Sequence, residues 1–217
     1  MSATASEQTG IATDRPAEPW RFDKNRAAVV VVDMENDFID EGAIMEVPMA
    51  RAFLPNMQTI VNAARETSVP VLFTRHVLYD HYDVAPLEFA YIPKLRAGGV
   101  REGTRGTEIV DALSPLPGEM VIVKHRPDAF HNTQLDTVLR NLRGPGVVDT
   151  IIIIGTLTSI CCESTARAAY MRDYKVMFVS DANGDVSQAA HDATLQVLPR
   201  IFARIADTKA VAHMLAD

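Results

Sequence analysis

Outside residues 161 and 162 the chain has no cysteine. Two adjacent thiols cannot build a framework of cross-links, so the core must hold the fold. With no secretory leader recognisable at the N-terminus, a reducing cytoplasm is the expected compartment. No apolar run approaches the roughly 20 residues that span a bilayer, so no membrane partner is expected. A basic cluster is missing too: the formal net charge is −7, which argues against nucleic acid or an anionic lipid surface. No internal repeat is visible. Residues 1–25 are poor in aliphatic side chains until Trp20 and Phe22, and that stretch reads as a poorly ordered tail.

What the chain does have is a full complement of core residues. At 217 residues and 47% hydrophobic content, one domain over 26–217 is the simplest organisation. Aliphatic runs at Ala27–Asp33, Val69–Arg75, Met120–Lys124, Thr150–Gly155 and Lys175–Ser180, with a weaker one at Ala203–Asp207, read as strands. Between them, Ala50–Thr67 places Phe53, Leu54, Met57, Ile60, Val61 and Ala64 at spacings of three and four, a helical stripe. Thr133–Arg140 and Ala189–Phe202 are similar. The alternation predicts an α/β fold: a single-domain, three-layer, Rossmann-like arrangement of about six mostly parallel strands with helices on both faces. In such sheets ligands bind beyond the carboxyl ends of the strands, so chemistry is sought there.

The most informative strand end is Ile151-Ile-Ile-Ile-Gly-Thr-Leu-Thr-Ser-Ile-Cys-Cys162. A buried run stops at Gly155 and delivers cysteines where a helix over 163–172 should begin. A thiol at a helix N-terminus lies near unsatisfied N–H groups and the positive end of the dipole, and both favour thiolate. Free cysteine also packs as a small hydrophobe, and two neighbours cannot both face one crevice, so at least one of the pair is structural. Asp33 closes the first strand and Lys124 the third. Alone, the acid reads equally as a cap or turn residue, and the lysine as a side chain snorkelling to water. Together they bring an acid, a cation and a thiol to one edge of one sheet. The acid could take the thiol's proton, the ammonium could support thiolate and carboxylate, and the turn's N–H groups could hold an oxyanion. Acyl transfer through a thioester is the reaction such a set supports.

Four segments then resemble the isochorismatase-like cysteine hydrolases, the superfamily of nicotinamidases, N-carbamoylsarcosine amidases, ureidoacrylate and biuret hydrolases. They are Val-Val-Asp-Met-Glu-Asn-Asp-Phe at 31–38, Val-Pro-Val-Leu-Phe-Thr-Arg-His at 69–76, Ile-Val-Lys-His-Arg-Pro-Asp-Ala-Phe at 122–130, and Gly-Thr-Leu-Thr-Ser-Ile-Cys-Cys-Glu-Ser-Thr-Ala-Arg at 155–167. The resemblance implies Cys161 as nucleophile, Asp33 as general base and Lys124 as its cationic partner. It implies further a cis peptide between Thr156 and Leu157, and an oxyanion hole from the N–H groups of Leu157 and Cys161. Cys162 stands where the family usually has valine and is expected to face the core. Glu35 replaces the family's glutamine and adds an acid beside Asp33. The metal motif of nicotinamidases does not appear: residues 74–83 read Thr-Arg-His-Val-Leu-Tyr-Asp-His-Tyr-Asp. Of these, His76, Asp80, His81 and Asp83 are conceivable ligands, but no metal and no cofactor is expected.

The expected substrate is a small amide, ureide or N-carbamoyl compound cleaved at a C–N bond, with release of ammonia or an amine. Phe38, Arg75, Tyr82 and Phe130 are candidate pocket residues by position. The alternatives are an isochorismatase-type ether or lactam hydrolase with an incidental Cys161, a non-catalytic ligand-binding member, and a redox sensor built on the vicinal cysteines. Residues 77–106, punctuated by Pro86, Pro93, Gly98, Gly99 and Gly103, read as an irregular lid or oligomer contact. Related hydrolases are commonly dimers or tetramers, so self-association is part of what the resemblance implies.

Overall fold

The computed structural model describes residues 20–217 apart from Tyr82. Most of the expected tail, residues 1–19, and the pocket candidate Tyr82 therefore lie outside the described residues. The last six residues of that tail run along the domain: Asp23 caps a short 3-10 turn at Lys24–Arg26, and the Arg204 guanidinium lies 4.2 Å from the centroid of the Trp20 ring.

Six strands form one sheet: β1 (Ala27–Val32), β2 (Val71–His76), β3 (Met120–Lys124), β4 (Thr150–Thr156), β5 (Lys175–Gly184) and β6 (Arg204–Ala206). Their order is β3-β2-β1-β4-β5-β6, and every neighbouring pair is parallel. The reason is legible in β1, whose six residues are all fully buried. Ala27, Val29 and Val31 face one core cluster, and Ala28, Val30 and Val32 face the other. A strand covered on both faces needs no polar alternation. Each fully buried Val or Ile side chain contributes roughly 1.5–3 kcal/mol relative to exposure.

The helices are α1 (Asn36–Ile39), α2 (Pro48–Glu66), α3 (Pro86–Tyr91), α4 (Pro93–Arg96), α5 (Leu135–Asn141), α6 (Glu163–Tyr170), α7 (Gln188–Val197) and α8 (Thr208–Ala216). Helix α2 buries Met57, Ile60, Val61 and Ala64 in the first cluster, alongside Val211 and Leu215 of α8. Leu135 and Leu139 of α5 and Ala166 and Ala169 of α6 fill the second.

Two boundaries depart from the pattern for physical reasons. Strand β5 continues through Ser180-Asp-Ala-Asn-Gly184, a run whose composition reads as loop. It stays extended because the buried Asn183 amide donates to the carbonyls of Ile153 and Val179 at 2.9 and 2.7 Å. The segment 77–106 is less irregular than its glycines and prolines suggest. Pro86 and Pro93 open α3 and α4, where a missing N–H costs nothing. The segment is also fastened down: the Val100 N–H donates to Asp37 at 2.6 Å, and Arg101 donates to Asp80 and to the carbonyls of Gly99 and Leu95.

Chain order reverses between β1 and β4, which leave the sheet's centre in opposite directions. Such a switch point opens a crevice beyond the carboxyl ends of the two strands.

Candidate active site

Asp33 follows β1 directly and takes φ +50°, the left-handed region that Asp tolerates better than most residues. That turn aims its carboxylate back across the strand ends. One oxygen accepts the Thr74 hydroxyl at 2.7 Å. The other pairs with Lys124 Nζ at 2.7 Å, with both side chains fully buried. Lys124 crosses the end of β2 to make this contact, so its long stem runs through the core rather than out to water. Burial opposes its charge, but the Asp33 carboxylate holds its pKa well above the ordinary lysine value.

The ammonium makes three further contacts: to the Arg126 carbonyl at 3.0 Å, to His76 Nδ1 at 3.3 Å and to Cys161 Sγ at 3.5 Å. Asp33, Lys124 and Cys161 are thus brought together as one buried set. Asp33, His76 and Cys161 present donor atoms within 4.8 Å of one another, a spacing that could hold an ion. Lys124 Nζ already stands within 3.5 Å of all three, so the position is taken by an ammonium. The other conceivable ligands disperse. Asp80 pairs with Arg101 at 2.7 Å, Asp83 accepts the Ala85 N–H at 3.0 Å, and the His81 ring lies 5.6 Å from that of Tyr79.

The turn that carries Cys161 differs from the expected helix N-terminus. Residues Thr158–Cys162 form a single π turn, and α6 begins only at Glu163. The expectation that this position by itself activates the sulfur needs correction. Burial pushes the Cys161 thiol well up, the Lys124 ammonium pulls it down, and the Asp33 carboxylate raises it again. Burial thus favours the thiol form, with the Asp33 carboxylate beside it. Cys162 is fully buried in the second core cluster.

Backbone detail explains why β4 can deliver that turn. Gly155 has φ +133°, and a Cβ there would meet the Val32 carbonyl oxygen at 2.1 Å; only glycine lets β4 approach β1 beside Asp33. The Thr156–Leu157 peptide is cis, and the Leu157 carbonyl accepts the Cys162 N–H at 3.0 Å. The buried Asp185 accepts both the N–H and the hydroxyl of Ser159, at 2.8 and 2.7 Å, and so ties the π turn to the end of β5.

Glu35 is fully buried and accepts the His76 N–H at 2.6 Å. Its second oxygen has no donor among the described residues. Burial and then the Asp33 charge raise its pKa well above the ordinary carboxylate range, against the pull of that N–H, Lys124 and Arg75. The charged form of Glu35 is thus disfavoured where it stands.

The pocket candidates separate. Phe38 is packed in the first core cluster with Met34 and Ile39, on the face of the sheet opposite Cys161. Phe130 lies in the second cluster with Cys161 and Cys162, its ring 5.9 Å from that of Tyr174. Arg75 donates to Thr107 at 3.1 Å. A groove of about 630 Å³ lined by Trp20, Tyr174, Phe202 and Arg204 opens at the amino ends of β5 and β6, away from Asp33. Thr74, Asp185 and Glu88 escaped the sequence reading, because a Thr inside a strand, an acid just past one and an acid on a short helix carry no periodic signal.

An Isochorismatase domain model matches residues 27–210. The chain is 35% identical over 185 residues to "Nicotinamidase 3" of Arabidopsis thaliana, covering 83% of this chain and 84% of that protein. Among solved structures, it is similar to a cysteine hydrolase from Pseudomonas syringae at 31% identity and TM-score 0.83, over 93% of this chain and 98% of the other. An N-carbamoylsarcosine amidase from Thermoplasma acidophilum superposes with TM-score 0.70 at 26% identity, over 84% and 96% of the two chains.

Proposed function

The chain belongs to the isochorismatase family, and from that premise we propose that it is a cysteine amidohydrolase acting on the C–N bond of a small amide, ureide or N-carbamoyl compound. The observation that carries this reading is the buried Lys124 ammonium, at 2.7 Å from the Asp33 carboxylate and 3.5 Å from the Cys161 sulfur. A binding module gains nothing from burying a base, a cation and a thiol together, and an ether hydrolase has no use for the thiol.

In the proposed cycle Cys161 gives its proton to Asp33 while its sulfur attacks the substrate carbonyl, and the carbonyl π electrons move to oxygen. The N–H groups of Leu157 and Cys161 are assigned to that oxyanion. Collapse breaks the C–N bond, and the leaving nitrogen takes the proton from Asp33. Water then gives a proton to Asp33 and attacks the thioester; the C–S bond breaks and the sulfur recovers that proton. Amide plus water becomes acid plus ammonia or amine, with the thiol and the carboxylate restored. Lys124 stays cationic throughout and offsets whichever neighbour carries the negative charge.

The test is ammonia release from a panel of small amides, N-carbamoyl compounds, ureides and nicotinamide, run with the wild type, Cys161→Ser and Cys162→Val. Release by the wild type and Cys162→Val, with loss of at least about 100-fold in Cys161→Ser, is expected. Release that survives Cys161→Ser would mean water attacks directly, and the thiol reading would fall.

A further inference from the structure

Lys124 has more acceptors than hydrogens. An ammonium carries three N–H groups and no lone pair, while Asp33 Oδ2, the Arg126 carbonyl, His76 Nδ1 and Cys161 Sγ lie at 2.7, 3.0, 3.3 and 3.5 Å. The sulfur is the most distant and the weakest acceptor of the four. His76 competes with it directly, and its chemistry is fixed from both sides. Because Lys124 can only donate, Nδ1 must present its lone pair, which puts the ring hydrogen on Nε2. That nitrogen lies 2.9 Å from Glu88 Oε2 on α3, with the two side chains 6% and 16% exposed. A carboxylate and an ammonium thus flank one imidazole; the Glu88 contact is close but lacks hydrogen-bond alignment, and a negative charge beside one ring nitrogen makes the other a better acceptor.

We propose that His76 and Glu88 are positioning residues for the hydrolysis: by engaging one Lys124 hydrogen they keep Cys161 a thiol at rest, so that its proton stays in the site for Asp33 to pass to the leaving nitrogen. Without them, the freed hydrogen turns to the sulfur and an anion leaves the neighbourhood. Both changes favour loss of the thiol proton to bulk water. Asp33 is then left without the proton it must deliver to the leaving nitrogen. The arrangement also couples segment 77–106 to the chemistry, since Glu88 belongs to that segment and Lys124 to the sheet.

This inference rests on the amidohydrolase reading for turnover, but its first readout needs no substrate. Thiolate absorbance in the ultraviolet, taken as a difference against Cys161→Ser on the same background, is followed from about pH 7 to 10 in the wild type, His76→Leu, His76→Asn and Glu88→Ala. His76→Leu is expected to show more thiolate at every pH in that range. In amide hydrolysis it should lower kcat about 10-fold with KM within about 3-fold. His76→Asn, whose side-chain oxygen can stand where Nδ1 stood, should restore both most of the way. Glu88→Ala should move both in the direction of His76→Leu, and serves alone if that variant does not fold. Unchanged thiolate in His76→Leu and Glu88→Ala, or His76→Asn behaving like His76→Leu, would overturn the proposal; so would a rise in KM with kcat untouched. If no panel substrate is turned over, the amidohydrolase reading fails while the absorbance still decides this one.

Discussion

The pairing of Asp33 with Lys124 is the costliest commitment among the side chains of the site. Both are fully buried, so each is tolerable only because of the other. Lys124→Met should therefore do more than abolish turnover: it leaves a buried carboxylate without its cation and should cost about 3–5 kcal/mol in urea unfolding. Adding Asp33→Asn to that variant should recover much of the loss, and additive costs would argue that the two groups do not interact. Glu35 makes the opposite prediction. Its folded pKa lies well above the unfolded value, so its contribution is fully present below about pH 4.3 and lost as pH rises towards the folded value. Glu35→Gln is isosteric and already neutral, and should raise Tm by more at pH 7 than at about pH 4, by about 2–4 °C for each kcal/mol gained. An equal Tm difference at both pH values would mean that Glu35 is ionised in the folded state.

At the scale of elements, β4 and the turn after it carry the geometry. Gly155→Ala puts a methyl group against the Val32 carbonyl in a conformation that alanine resists, and should cost about 3 kcal/mol or more, read from denaturant midpoints. A cost below about 1 kcal/mol would show that β4 can shift away from β1. The π turn leans on Asp185 through Ser159. Removing that carboxylate leaves the N–H and hydroxyl of the half-buried Ser159 without their acceptor. How much of this was legible in the chain varied by element. The strands that lead to Asp33 and Cys161 could be read because buried parallel strands are continuous aliphatic runs, and the half-exposed edge strand of Lys124 because its run is aliphatic as well. The far half of β5 and helices α3 and α4 could not, because their order comes from tertiary hydrogen bonds and from prolines placed at helix starts.

For the molecule as a whole, the two core clusters lie on opposite faces of one sheet, and β1 contributes three residues to each. Neither can melt without exposing the other's strands, so unfolding should be a single cooperative event. The chain has one tryptophan, and it packs on Arg204 of the edge strand β6. Tryptophan fluorescence and far-ultraviolet circular dichroism should then give the same urea midpoint. An earlier fluorescence transition would show that β6 and residues 20–26 fray ahead of the sheet.

What the sequence by itself determined is the sheet, its helical cover and the strand ends that carry an acid, a cation and a pair of thiols, because burial periodicity and strand-end placement are local properties of the chain. Only the tertiary structure decided their charge states and their helpers. The protonation of Cys161 and Glu35 depends on how completely each is buried and on which charges lie within a few ångströms. The roles of Thr74, His76, Glu88 and Asp185 depend on contacts between residues far apart in the chain, and no spacing records those.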